Sequence, residues 1–201
     1  MIQNFIFDMG NVLMDFSPDY MLSQYTDDMK VIKALKDLIF GNTLWSQLDN
    51  GDVSFDEAKD GLLKSAPVEY HTLIRDILNT WHLHKVPRLD MLELIKELKE
   101  KGYGIYLCSN AADRFHSYKD TYEVFQYFDG LLISADIHIS KPDIRIYEYL
   151  LDSNKLIAEE CLFVDDLGAN TKAAESVGMY AYQYNGNLTL FRHYLKNVHL
   201  I

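Results

Sequence analysis

Five short apolar runs, separated by segments of helical periodicity, constrain this chain more than anything else in it. They are Phe5-Ile6-Phe7, the Ile105 to Cys108 run, Leu131-Leu132-Ile133, Cys161 to Val164, and Met179 to Tyr184. Short buried strands alternating with helices imply an α/β protein with a doubly wound parallel sheet. The first run ends on a single carboxylate, Asp8, and Gly10 then lets the backbone turn sharply. In open parallel sheets the crevice beyond the strand C-termini is where ligands bind. Asp8 is therefore either a capping residue of a loop or a nucleophile or metal ligand.

At 201 residues the chain is one ordinary domain, or a core with a modest insertion. Hydrophobic residues make up 48% of it, enough for a real core. Thirty acids against 19 bases give a formal net charge of −11. That argues against nucleic acid or an anionic membrane as a partner, since either calls for a basic patch. Acids gathered at one site would instead suit a divalent cation. Cys108 and Cys161 each lie inside an apolar run and read as buried free thiols. The first apolar run is short and has no basic lead, and no run reaches the ~20 residues of a membrane span. The expectation is a soluble, cytoplasmic protein.

Between the first strand and the second, residues 15–85 read as wholly helical. Ser17-Pro18 is a helix start, with the hydroxyl as cap and proline in the first turn. Ser54 to Glu57 is a capping box. Pro67 opens a helix with Leu73, Ile74, Ile77, Leu78 and Trp81 on its apolar side. This stretch far exceeds the dozen or so residues that a crossover between parallel strands needs. It reads as a helical insertion, with 1–14 and 86–201 forming the α/β core. Pro87 is expected to start the next helix, which Gly102 closes.

Three strand ends carry polar groups: Asp8, Ser109 with Asn110, and Asp165 with Asp166. Lys141 stands at a helix start between them. Each alone has a structural explanation as a cap or a surface residue. Jointly they point to chemistry, because parallel strands bring these ends to one edge. Two carboxylates suit Mg²⁺, which keeps waters and a substrate phosphate as its remaining ligands. A hydroxyl, an amide and an ammonium can hold phosphoryl oxygens. A carboxylate left free to attack gives an aspartyl-phosphate intermediate.

The sequence resembles the haloacid dehalogenase superfamily along essentially its whole length. Four motifs carry the resemblance: Phe7 to Leu13, Leu107 to Asn110, Ser140 to Asp143, and Phe163 to Asn170. The insertion after the first motif resembles that family's C1 cap. The Asp-x-Gly-Asn-Val form of the first motif is similar to the α-D-glucose-1-phosphate phosphatases. The fourth motif is similar to that of the N-terminal phosphatase domain of soluble epoxide hydrolases. The resemblance implies a Rossmann-like core and a Mg²⁺-dependent phosphatase acting on a small phosphorylated metabolite, a sugar 1-phosphate being one candidate. It implies Asp8 as nucleophile and Mg²⁺ ligand. Ser109 and Asn110 would bind the phosphoryl group, and Lys141 would pair with Asp8 and the phosphate. Asp166 would be the second carboxylate on the metal, the Gly10 carbonyl a further ligand, and Asp165 a helper directly or through water.

One departure matters. Relatives usually carry an aspartate two residues after the nucleophile, which protonates the leaving oxygen and then activates water. Here that position is Gly10. General acid–base help is worth about 10²–10⁴-fold. Either turnover is slow, or another group substitutes, or the leaving group needs no proton, as an anomeric phosphate would suit. Asp15 is the nearest spare acid; His82 and His84 lie near the return from the insertion. Asn170 stands where many relatives have a further acid, which implies a weaker metal site. The segment Trp45 to Phe55 resembles the family's specificity loop; its Asp49, Asn50 and Asp52 either meet sugar hydroxyls or form a solvated turn. Two other functions compete with phosphatase: a metal-independent haloacid dehalogenase, which the paired Asp165-Asp166 opposes, and a phosphoryl-binding protein without turnover, which Gly10 suggests.

Overall fold

The computed structural model describes residues 1–201. Its strands in chain order are β1 (Asn4–Phe7), β2 (Met14–Asp15), β3 (Val86–Pro87), β4 (Gly104–Ser109), β5 (Gly130–Ile133), β6 (Cys161–Asp165) and β7 (Tyr180–Gln183). Five of them form one parallel sheet in the order β5-β4-β1-β6-β7. The expected doubly wound α/β architecture is present.

The apolar runs are uninterrupted because both faces of the sheet are covered. Phe5 and Phe7 of β1 point to one side, where they pack with Met91, Ile95 and Leu98 of the helix Leu89–Glu100 and with Phe191 of the helix Leu188–Asn197. Ile6 points to the other, against Ile146, Tyr147 and Leu150 of the helix Ile144–Asn154. Cys108 and Cys161 are buried free thiols in this second layer. No helix is long and apolar enough to cross a membrane.

The strand register aligns the chemistry. Phe7 lies opposite Leu107 of β4 on one side and Val164 of β6 on the other. One residue further, the Asp8 N–H donates to the Val164 carbonyl at 2.9 Å. Asp8 and Asp165 therefore lie at one level, with Ser109 one residue further along β4, at the centre of one edge.

The helical segment has a core of its own, built on Leu22, Leu35, Ile39, Leu62, Ile74 and Ile77. Ser17 caps the helix Pro18–Ser23, and Ser54 and Glu57 form the capping box of the helix Phe55–Ser65. Three local readings change. Asp15 is not helical but lies in β2, which pairs antiparallel with β3. Pro87 belongs to β3, and the following helix starts only at Leu89. Pro67 precedes a short 3₁₀ turn, and the α-helix begins at His71. The two-residue β2 and β3 are too short for alternation to show in sequence; only their pairing defines them.

The ribbon β2–β3 brings the chain back beside the point where it left the core. The Arg88 guanidinium binds Asp15 at 2.7 Å and the Gly186 carbonyl at 3.1 Å. The tip of the segment folds onto the sheet edge. The Ser140 hydroxyl donates to the Asn50 side chain at 2.7 Å, and the Ser134 hydroxyl donates to the Asp49 carbonyl. Gly51 fits here with φ of +76°, and a Cβ on it would stand 2.5 Å from the Ala135 carbonyl oxygen. Gly51→Ala is therefore expected to cost about 1–3 kcal/mol, from left-handed strain and lost docking. Urea unfolding reads this out, and an unchanged midpoint would contradict it.

Candidate active site

Asp8, Asp165 and Lys141 meet in the buried heart of the sheet edge. Lys141 sits on the loop ahead of the helix Ile144–Asn154, whose N-cap is Asp143. Its ammonium donates to Asp8 Oδ1 and to Asp165 Oδ2, both at 2.7 Å, and lies 5.4 Å from the centre of the Phe163 ring. Its side chain is 1% exposed. Burial alone would weaken its hold on the proton, but the two carboxylates outweigh that and raise its pKa. Lys141 is fixed as a cation. Burial pushes the Asp8 carboxyl up to about 6, with Lys141 opposing and the Asp165 charge adding to the rise.

Asp165 is fully buried and saturated. Besides Lys141 it accepts from the Leu167 N–H at 2.8 Å and from the Asn170 amide at 3.0 Å. The neutral Asn170 thus acts as a donor where an acid would repel Asp165. Asp166 is half-buried and accepts from Asn11 Nδ2 at 2.9 Å. Asn11 holds φ of +56°, a conformation asparagine tolerates, and its side-chain oxygen also accepts from the Phe16 N–H. Carboxylate oxygens of Asp8, Asp165 and Asp166 all lie within 4.8 Å of one another. Three carboxylates against the single ammonium of Lys141 leave a surplus of negative charge. Hard oxygen donors with that surplus fit Mg²⁺.

Ser109 is buried at the end of β4 and lines the cavity above Asp8. Asn110 is beside it, but its amide is turned to the main chain of Lys141, accepting from the Lys141 N–H at 2.8 Å and donating to its carbonyl at 2.9 Å. Asn110 therefore anchors the loop that presents the ammonium. Gly10 lines the cavity too, and a Cβ there would meet Asp8 Oδ2 and Phe16 Cβ at an ordinary 3.8 Å. Packing does not demand a glycine at this position.

The cavity above these groups has a volume of about 350 Å³. Its far wall comes from the helical segment: Phe16, Trp45, Asp49, Trp81 and Lys85, with Tyr118 from the core. Of the specificity-loop segment, Trp45 and Asp49 reach the cavity; Asn50 is engaged with Asp52 and Ser140. Asp15 lines the rim, exposed and tied to Arg88. His82 stacks on Tyr118 and does not line the cavity. Sequence reasoning missed Asn11 and Lys85. The Gly-Asn pair signalled a left-handed residue; nothing marked Lys85 as buried.

The family model for haloacid dehalogenase-like hydrolases matches residues 2–178. A sesquiterpene phosphatase of Aspergillus oryzae is 31% identical over 175 residues, covering 87% of this chain and 85% of the relative. A D-ribitol-5-phosphate phosphatase of Bacteroides thetaiotaomicron is 25% identical over 91% of this chain and 92% of its own. Among solved structures, a haloacid dehalogenase family enzyme of the same bacterium, crystallised with magnesium and inorganic phosphate, superposes with a TM-score of 0.73 at 21% identity. It covers 93% of this chain and 96% of that one, and shows likeness of fold. Sheet order, strand-end carboxylates and family match converge: the chain belongs to the haloacid dehalogenase-like hydrolases.

Proposed function

We propose that this hydrolase is a Mg²⁺-dependent phosphatase that moves the phosphoryl group of a small organic phosphate onto Asp8 and then to water. The observation that carries this reading is the Lys141 ammonium bridging Asp8 and Asp165, with Asp166 as the third carboxylate of the cluster. A dehalogenase needs the aspartate and the cation but not this surplus of carboxylates.

Asp8 is the nucleophile. Lys141 orients its Oδ1 and faces the transferring group. Ser109 holds a phosphoryl oxygen. Asp8, the Gly10 carbonyl and Asp166 would hold the metal, with Asp165 helping directly or through water. A Mg²⁺ held there would supply positive charge against the negative charge of the phosphoryl group. Residues 15–85 act as the cap, whose docking on the sheet edge excludes bulk water.

A sugar 1-phosphate remains a candidate substrate, because its leaving group asks little of Gly10. A second reading has a specific support: Phe16, Trp45, Trp81 and Tyr118 give the cavity an aromatic wall, and the sesquiterpene phosphatase is among the relatives. That favours an apolar alkyl or prenyl phosphate. Phosphate release from sugar 1-phosphates, prenyl phosphates and p-nitrophenyl phosphate tests both. Turnover is expected to fall at least about 10²-fold in chelator. Activity that survives chelation, or halide release from 2-haloacids, would overturn the phosphatase reading.

A further inference from the structure

Asp49 and Lys85 are ionisable groups lining the cavity that the roles above leave unused. Asp49 ends the helix Thr43–Asp49, and its carboxyl lies beside the Trp45 indole, the Ala112 backbone N–H and the Lys85 ammonium. Lys85 lies just ahead of β3 and is 9% exposed. Its ammonium sits 4.9 Å from the Trp81 ring centre, 5.0 Å from that of Tyr118 and 3.8 Å from Met9 Sδ. Both line the cavity that Asp8 also lines, Asp49 and Lys85 from the helical segment and Asp8 from the end of β1.

Resting on the phosphatase reading, we propose that Asp49 is the general acid and base of the reaction, carried by the helical segment in place of the side chain that Gly10 lacks. Lys85 is the positioning residue, acting on Asp49 through its charge.

The environment suits the task. Burial pushes the Asp49 carboxyl up to about 7, against the pull of Lys85. Burial also lowers Lys85 to about 8, with Asp49 and Asp8 opposing. A proton donor works best when its pKa lies near the working pH. The other candidates fit less well. Arg88 occupies the carboxylate of Asp15, and burial raises the Tyr118 hydroxyl well above its ordinary value.

In the first step Asp8 attacks phosphorus and the bond to the leaving oxygen breaks. The electron pair stays on that oxygen, which takes the Asp49 proton and departs as the alcohol. In the second step water attacks the phosphoryl-aspartate and gives its proton back to Asp49. The bond from phosphorus to Asp8 breaks, releasing inorganic phosphate.

Benzyl phosphate and p-nitrophenyl phosphate test this in the full-length protein with Mg²⁺. The two are similar in size, but only the benzyl alkoxide needs a proton to leave. kcat/KM reports the first step alone. In Asp49→Asn it is expected to fall about 10²–10⁴-fold on benzyl phosphate and at least tenfold less on the aryl ester. The aryl ester is also expected to give a burst of p-nitrophenol, because the second step lacks its base. An equal loss on both esters, or no loss on either, would overturn the proposal.

Lys85→Met gives an independent reading should the asparagine variant not fold. Lys85 is the charged group that acts on Asp49, and Asp49 in turn acts on the Tyr118 hydroxyl; Asp8, Asp15, Arg114, Lys141 and Asp166 are the other charged residues lining the cavity. Removing the Lys85 charge lets the Asp49 pKa rise. The alkaline limb of kcat/KM on benzyl phosphate must then move to higher pH; an unmoved limb counts against the proposal. If the unaltered protein turns over neither ester, the phosphatase reading itself has failed, and the assignment of Asp49 falls with it.

Discussion

Asp8→Asn is expected to reduce phosphate release by about 10⁴-fold or more, the scale on which losing a covalent nucleophile acts. The substitution changes little else. Asparagine has nearly the same shape, and its side-chain oxygen can still accept from the Lys141 ammonium that now donates to Asp8 Oδ1. The buried cluster loses one of its negative charges, which relieves the repulsion between Asp8 and Asp165. Stability without metal should therefore stay within about 1–2 kcal/mol of the parent. Two measurements check this. Acid-quenched parent protein with substrate should carry one added phosphoryl group by mass spectrometry, and the variant none. A folded variant keeping more than about 1% of the activity would remove Asp8 from its role.

Lys141→Met should damage both stability and turnover. Lys141 is the only cation bonded to Asp8 and Asp165, and the whole group is buried. Removing one partner of a buried ion pair strands its counter-charges and costs about 3–5 kcal/mol. The loss should be greatest in chelator. Saturating Mg²⁺ should recover part of it, since a ligand of the native state stabilises in proportion to its binding. Turnover should fall about 10³-fold, because the charge facing the transferring group is gone. Urea unfolding with chelator and with Mg²⁺ separates these effects. A midpoint equal to the parent's in chelator would mean that the cation does not hold the cluster together.

The two predictions draw on different levels of information. Asp8 was legible because a buried strand ending on an acid, followed by a glycine, is a local pattern. Its convergence with Ser109 and Asp165 was legible because parallel strands have their C-termini on one edge whatever their order in the chain. The capping box at Ser54 and the stop at Gly102 were equally local, and both appear. The placement of Asn110 and Asp49 was not. Asn110 looks in sequence like a neighbour of the phosphate, but its amide is spent on the main chain of Lys141, 31 residues away.

By itself, then, the sequence determined the parallel sheet, the helical insertion and the edge where the polar strand ends gather. Period and spacing encode these directly. Only the tertiary structure decided which residues of the insertion face that edge. Asp49 and Lys85 are 36 positions apart, on segments with their own apolar core, and one reads as a turn residue while nothing in the sequence marks the other. They line one cavity with Asp8 because the short ribbon and the close approach at Gly51 seat the segment on the sheet. That docking depends on contacts between distant parts of the chain, and no local periodicity records them.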